Sequence, residues 1–172
     1  MNALRQTAGL RARNNGDAFE SWLETFIFAP LNANGIVARF DKQNPEMYAK
    51  NVPGHGVWFR PKANSGGDWL LLMAGGKYTV VESKSTTDER FYEKDIPTHQ
   101  QNHLRAAQAT GAGAFLALRF ANEQTPGYLI PWALVPWEVA RTARSLRPEL
   151  LRPWAVGNWT DARRILTTSE AK

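Results

Sequence analysis

Residues 66–86 read GGDWLLLMAGGKYTVVESKST. Two apolar runs flank Gly75-Gly76, an acid stands just before the first run, and Glu-Ser-Lys closes the second. The pattern predicts a buried β-hairpin, with WLLLM (69–73) against YTVVESK (78–84). A charge at the end of a buried hairpin costs several kcal/mol unless it is paired or holds a metal. Alternate side chains of a strand share a face, so Glu82 and Lys84 are same-side neighbours. Whether Asp68 joins them depends on the turn. A two-residue loop pairs positions summing to 151 and sets Asp68 opposite Ser83, whereas a three-residue loop shifts the sum to 150 or 152 and puts Asp68 on the Glu82 face. Glycine in the left-handed region is what the odd loop needs, so the odd loop or an equivalent bulge is expected.

Two carboxylates aimed at one point repel each other unless a cation sits between them. Hard oxygen ligands with open water positions suit Mg²⁺ or Mn²⁺ near a phosphate, and the Ser83 carbonyl can add a ligand. Lys84 can then orient or deprotonate a water, or neutralise charge on a phosphorus under attack. This is equipment for metal-assisted phosphodiester hydrolysis. A strand-end ion pair between Lys84 and one acid explains the same residues, and the hairpin alone leaves the two readings level.

The 172 residues suit one domain that buries about two-thirds of its unfolded surface. With no cysteine, disulfides, zinc ribbons and thiol nucleophiles are excluded. No run of about 20 apolar residues is present to span a bilayer, and the basic start, MNALRQTAGLRARNNGD, lacks the apolar run of a signal peptide. Export is therefore not expected. The net charge of +5 favours a polyanionic partner. Arg outnumbers Lys by 14 to 7, and guanidinium suits bidentate phosphate contact. A solvated basic face accounts for the charge equally well.

Residues 1–14 read as a flexible basic arm, and 15–172 as one domain. Phe19, Trp22, Leu23, Phe26 and Ile27 fall on one helical face, with Pro30 expected to end the helix and Glu20 on the border of the buried stripe. GIVARF (35–40) is β-rich. The polar, Pro- and Gly-broken stretch 41–56 is expected to project as a long excursion. Strand signals return at 57–61, 69–73, 78–84, 114–120 and 128–135. A helix opened by Pro97 and closed by Gly111 or Gly113 crosses between the third and fourth. Further helices are expected at WEVARTARSL and near DARRIL. The fold class is α/β, with a mixed central sheet flanked by helices.

The pattern Gly16-x-x-x-Glu20 on a first helix, then Asp68, then Glu82-Ser83-Lys84 after a hairpin, resembles the PD-(D/E)xK nuclease superfamily with its restriction-endonuclease-like core. Within it, IPTHQQNHL (96–104), a Gly-rich turn and AFLALRF, together with VWFRPKANSGGD before the acid, resemble the RecU-type Holliday-junction resolvases. The similarity covers roughly residues 13–135, is strong in 57–120 and is poor in the C-terminal third. It implies a homodimer that nicks four-way DNA junctions symmetrically with Mg²⁺. Glu20, Asp68 and Glu82 correspond to its metal-site acids, Lys84 to its catalytic lysine and Gln100 to its glutamine beside the site. The excursion 41–56 corresponds to a stalk entering the junction centre, with Lys42, Lys50 and Tyr48 as a phosphate-binding and base-stacking set. The implied setting is cytoplasmic and nucleoid-associated, of cellular or phage origin, with no membrane and no small-molecule cofactor. Ser83 departs from the family, where that position is often small or apolar.

Arg11 and Arg13, on an arm without an apolar face, read as DNA contacts. Thr86 follows the catalytic strand, where its hydroxyl can bond a phosphate. His99 and His103 have a spacing that can hold zinc, but no glutamate or cysteine follows at a useful distance. His99 reads as site-lining or DNA-facing and His103 as surface.

Overall fold

The computed structural model describes residues 15–43, 47–52, 56–61, 68–140 and 143–168. The arm with Arg11 and Arg13 lies outside them. Helix α1 spans residues 15–33. Its middle, Leu23–Phe28, is a π-helix in which the Ala29 N–H donates to Glu24 O, and the helix runs on through Pro30 to Ala33. Pro30 thus does not end it. A proline inside an α-helix clashes with the carbonyl four residues back, and widening the preceding turn to i→i−5 bonds relieves that conflict. The extra residue also turns the face: Phe28 and Leu31 are fully buried, while Phe26, expected inside, is 56% exposed.

Strands follow in the order β1 (Val37–Lys42), β2 (Met47–Val52), β3 (Gly56–Pro61), β4 (Trp69–Met73), β5 (Tyr78–Thr86) and the short β6 (Phe91–Tyr92). Then come α2 (Thr98–Ala109), β7 (Gly113–Phe120), β8 (Gly127–Pro131), β9 (Glu138–Ala140), β10 (Ala143–Leu146), β11 (Ala155–Val156) and α3 (Trp159–Thr168). The central sheet is mixed, in the order β1-β4-β5-β7-β8-β11, with β5 and β7 parallel and α2 as their crossover. One face packs on α1 and α3 through Phe19, Leu23, Ile27, Trp69, Val81, Phe115 and Ile165. On the other, Leu104 and Ala107 of α2 pack with Val80 and Ala114. This is the α/β arrangement expected, a mixed sheet flanked by helices.

Within the excursion, β1 runs on to Lys42 and β2 pairs with β3 as a separate two-stranded sheet. The hairpin therefore includes VWFRP, which the sequence pattern suggests as a strand of its own. Gln43 N–H donates to Asp68 O at 2.8 Å, which ties the chain leaving β1 to the residue just before β4.

The C-terminal third departs further from expectation. WEVARTARSL supplies β9 and β10, which pair with each other and with β6. Glu138 on β9 accepts from both Arg90 and Arg147, and Arg90 also donates to the buried Ser145 on β10. These cross-strand partners are not available to an isolated helix. The strand expected over 128–135 stops at Pro131, and a 3₁₀ turn takes Trp132–Leu134. Among the described residues, no helix is long and apolar enough to cross a membrane.

Candidate active site

The β4–β5 hairpin has the register of the odd loop. Trp69 pairs with Val81 and Leu72 with Tyr78, so pairs sum to 150. Met73 N–H donates to Lys77 O across a three-residue loop, and Gly76 takes φ 81°, the left-handed conformation the turn requires. Continued one residue, this register sets Asp68 beside Glu82.

Asp68 and the consecutive Glu82, Ser83 and Lys84 then converge. Asp68 Oδ2 accepts from the Ser83 amide at 2.8 Å and from the Ser83 hydroxyl at 2.7 Å. Lys84 donates to Glu82 Oε1 and, at 3.0 Å, to the Ser83 carbonyl, and its ammonium lies 3.9 Å from Asp68 Oδ2. Glu82 is fully buried, whereas Asp68 and Lys84 keep an open side toward solvent. Burial pushes the Glu82 carboxyl up to about 7; Lys84 opposes the shift and neighbouring Asp68 adds to it.

Glu20 reaches this group from α1 with a long 3.5 Å contact from the Ser83 hydroxyl to its Oε1. Its other oxygen accepts a 2.8 Å ion pair from Lys42, whose ammonium also lies 5.7 Å from the Trp69 ring centre. The Glu20 bond raises the Lys42 pKa. Lys42, read from sequence as a DNA contact, is thus engaged with a site acid where β1 ends. Tyr48 and Lys50 lie on β2, away from the central sheet.

Thr86 ends β5, and its hydroxyl accepts from the Asp88 amide. On α2, His99 is exposed and Gln100 partly buried. His103, read as a surface residue, has a buried Nδ1 with no hydrogen-bond partner among the described residues. The sequence signal was its helical spacing: it shares a flank with Gln100 and Leu104.

Among the described residues, no three His, Cys, Asp or Glu side chains group closely enough to hold a metal. The donor set that does converge is two carboxylates and a carbonyl, with a lysine ammonium among them as a stand-in cation. Hard oxygens in that number fit Mg²⁺, which keeps several waters and seldom takes an all-protein cage. The buried, unpartnered Glu82 Oε2 leaves that carboxylate with acceptor capacity to spare.

The family described as recombination protein U, RecU, matches residues 62–151, more than half of the chain. The chain belongs to the RecU family. RecU proteins are Holliday junction resolvases, and this chain is accordingly an endonuclease of branched DNA. The match includes Asp68, Glu82, Lys84 and Gln100. No curated protein matches the chain. Among solved structures it is similar to Archaeoglobus fulgidus Hjc, a Holliday junction resolvase from an archaeal hyperthermophile. That likeness has 20% identity and a TM-score of 0.46, and covers 80% of this chain and 92% of that one.

Proposed function

We propose that this RecU-family chain resolves four-way DNA junctions by divalent-metal-dependent hydrolysis, as a homodimer that nicks two equivalent strands. The observation that carries this reading is the convergence of Glu82 Oε1, Ser83 O and Asp68 Oδ2 on one ammonium. Asp68, Glu82 and the Ser83 carbonyl would hold Mg²⁺ or Mn²⁺, with Glu20 facing the group from α1. The bound cation supplies positive charge against the phosphoryl oxygens as the transition state forms.

The remaining work falls to the chain itself. Lys84, which lies between Glu82, the Ser83 carbonyl and Asp68 with an open side toward solvent, would supply its ammonium to the attacked phosphate. Ser83 fixes Asp68 by two hydrogen bonds, so the carboxylate is already oriented before substrate arrives. Gln100 adds an amide on the Glu82 side of the sheet. Arg11, Arg13, Thr86 and His99 hold the DNA backbone, and the β2–β3 hairpin, with Tyr48 and Lys50, enters the junction as a stalk. A two-fold dimer supplies one site for each of the two strands to be cut.

Nicking of labelled four-way junction, flap and linear duplex, with Mg²⁺ or with EDTA, tests this beside Asp68→Asn. Paired symmetric nicks confined to the junction, dependent on Mg²⁺ and absent in the variant, are expected. The variant should still bind the junction, because it loses a ligand and not a phosphate contact. Equal cutting of linear duplex would remove junction selectivity from the proposal, and undiminished cutting in EDTA would remove the metal.

A further inference from the structure

Three buried side-chain atoms lack a hydrogen-bond partner among the described residues on the side of the sheet that faces α2: Glu82 Oε2, Gln100 Oε1 and His103 Nδ1. Their positions follow from the crossover. α2 starts beyond the end of β5 and delivers the chain to Gly113, which pairs with Thr79 near the start of β5. The helix therefore runs antiparallel to the strand. Leu104 packs with Val80. Four helical residues rise about 6 Å and two strand residues about 6.6 Å, which sets Gln100 level with Glu82. His103 lies one turn on from Gln100, on the same flank. The remaining unpartnered atom, Trp69 Nε1, belongs to the opposite, α1 face.

Leaving a buried polar atom without a partner is costly, so three on one side of the sheet call for a shared partner. The carboxylate and amide oxygens both accept, and a protonated Nδ1 donates. Water supplies two donors and accepts in return, which matches this set. Resting on the reading of Glu82 as a metal ligand, we propose that His103 is a positioning residue. Through ordered water shared with Gln100, it fixes the orientation of the Glu82 carboxylate from behind.

The test compares His103→Leu with His103→Asn, whose amide places a polar atom near the Nδ1 position. The readouts are kcat and KM on a four-way junction, junction binding, melting temperature, and Mg²⁺ affinity by calorimetry without DNA. Groups behind a metal ligand typically change metal affinity 10–100-fold. Accordingly, His103→Leu is expected to weaken Mg²⁺ binding about tenfold or more and to lower kcat while leaving junction affinity in place, and His103→Asn is expected to restore both. A folded Leu variant with wild-type Mg²⁺ affinity and kcat would overturn the proposal, as would loss of junction binding with kcat intact. If the Leu variant does not fold, His103→Asn against His103→Gln decides: only Asn reaches the Nδ1 position, so equal behaviour of the two overturns the assignment. Calorimetry reads the His103 role without cutting. A wild-type protein that never nicks junctions therefore counts against the proposed function, and an unaffected Leu variant counts against this inference alone.

Discussion

At the residue scale, Glu82 carries the largest electrostatic conflict in the site. Burial holds its carboxyl up to about 7 against an ordinary 4.5. Between those values the folded metal-free protein keeps the proton and the unfolded chain releases it. Stability in EDTA should therefore fall as pH rises through that window, by up to about 3 kcal/mol. Urea melts at pH 5 and pH 8 should show the drop, and Glu82→Gln should flatten it. In the proposed metal site Mg²⁺ would compete for the same group. Its affinity should rise with pH up to about 7 and level off above, which calorimetry across the range will read. The spacing of Glu82 and Lys84 put them on one face of the strand, where they meet. The Lys42–Glu20 pair was not legible, because it joins residues from α1 and β1 that only the packed sheet brings together.

At the element scale, turn chemistry set the β4–β5 register and tertiary fit set the β5–β7 register. Gly113 lies against Thr79, and a Cβ there would meet Thr79 Oγ1 at 2.4 Å. Gly113→Ala should destabilise the protein by about 1–3 kcal/mol as the parallel strands part. Adding Thr79→Ala should recover much of the loss, and paired denaturant melts measure both. The α1 pattern misled at Phe26 because periodicity assumes 3.6 residues per turn, and a π turn before Pro30 breaks that count. WEVARTARSL misled for another reason. Its strand state depends on Glu138 meeting Arg90, 48 residues away, and on β10 pairing with β6, and no local window contains those partners.

At the scale of the whole molecule, the β2–β3 hairpin is an insertion whose ends already touch, through Gln43 N–H and Asp68 O. It shares no strand with the six-stranded sheet. Replacing residues 44–67 by a short Gly-Ser link should therefore leave the melting temperature near wild type and retain binding to linear duplex. Preference for the four-way junction should be lost, and competition binding against both DNAs will show it. Sedimentation at micromolar concentration should give a dimer. A strict monomer would contradict the proposed symmetric cutting, because a single site has no partner for the second strand.

The sequence by itself determined the α/β class, the odd hairpin loop with its glycine, and the shared face of Glu82 and Lys84, because each depends on residues within one or two turns or strands of each other. It also carried the family, through Asp68, Glu82-Ser83-Lys84 and the spaced HQ..H of α2. Tertiary structure alone decided that Lys42 closes on Glu20, that the His103 ring nitrogen is buried near Gln100, and that Arg144 sits on a strand and Arg147 binds Glu138 of β9 where a helix was expected. Those outcomes depend on desolvation and on contacts between distant segments, and both come into being only when the sheet and its two layers of helices close together.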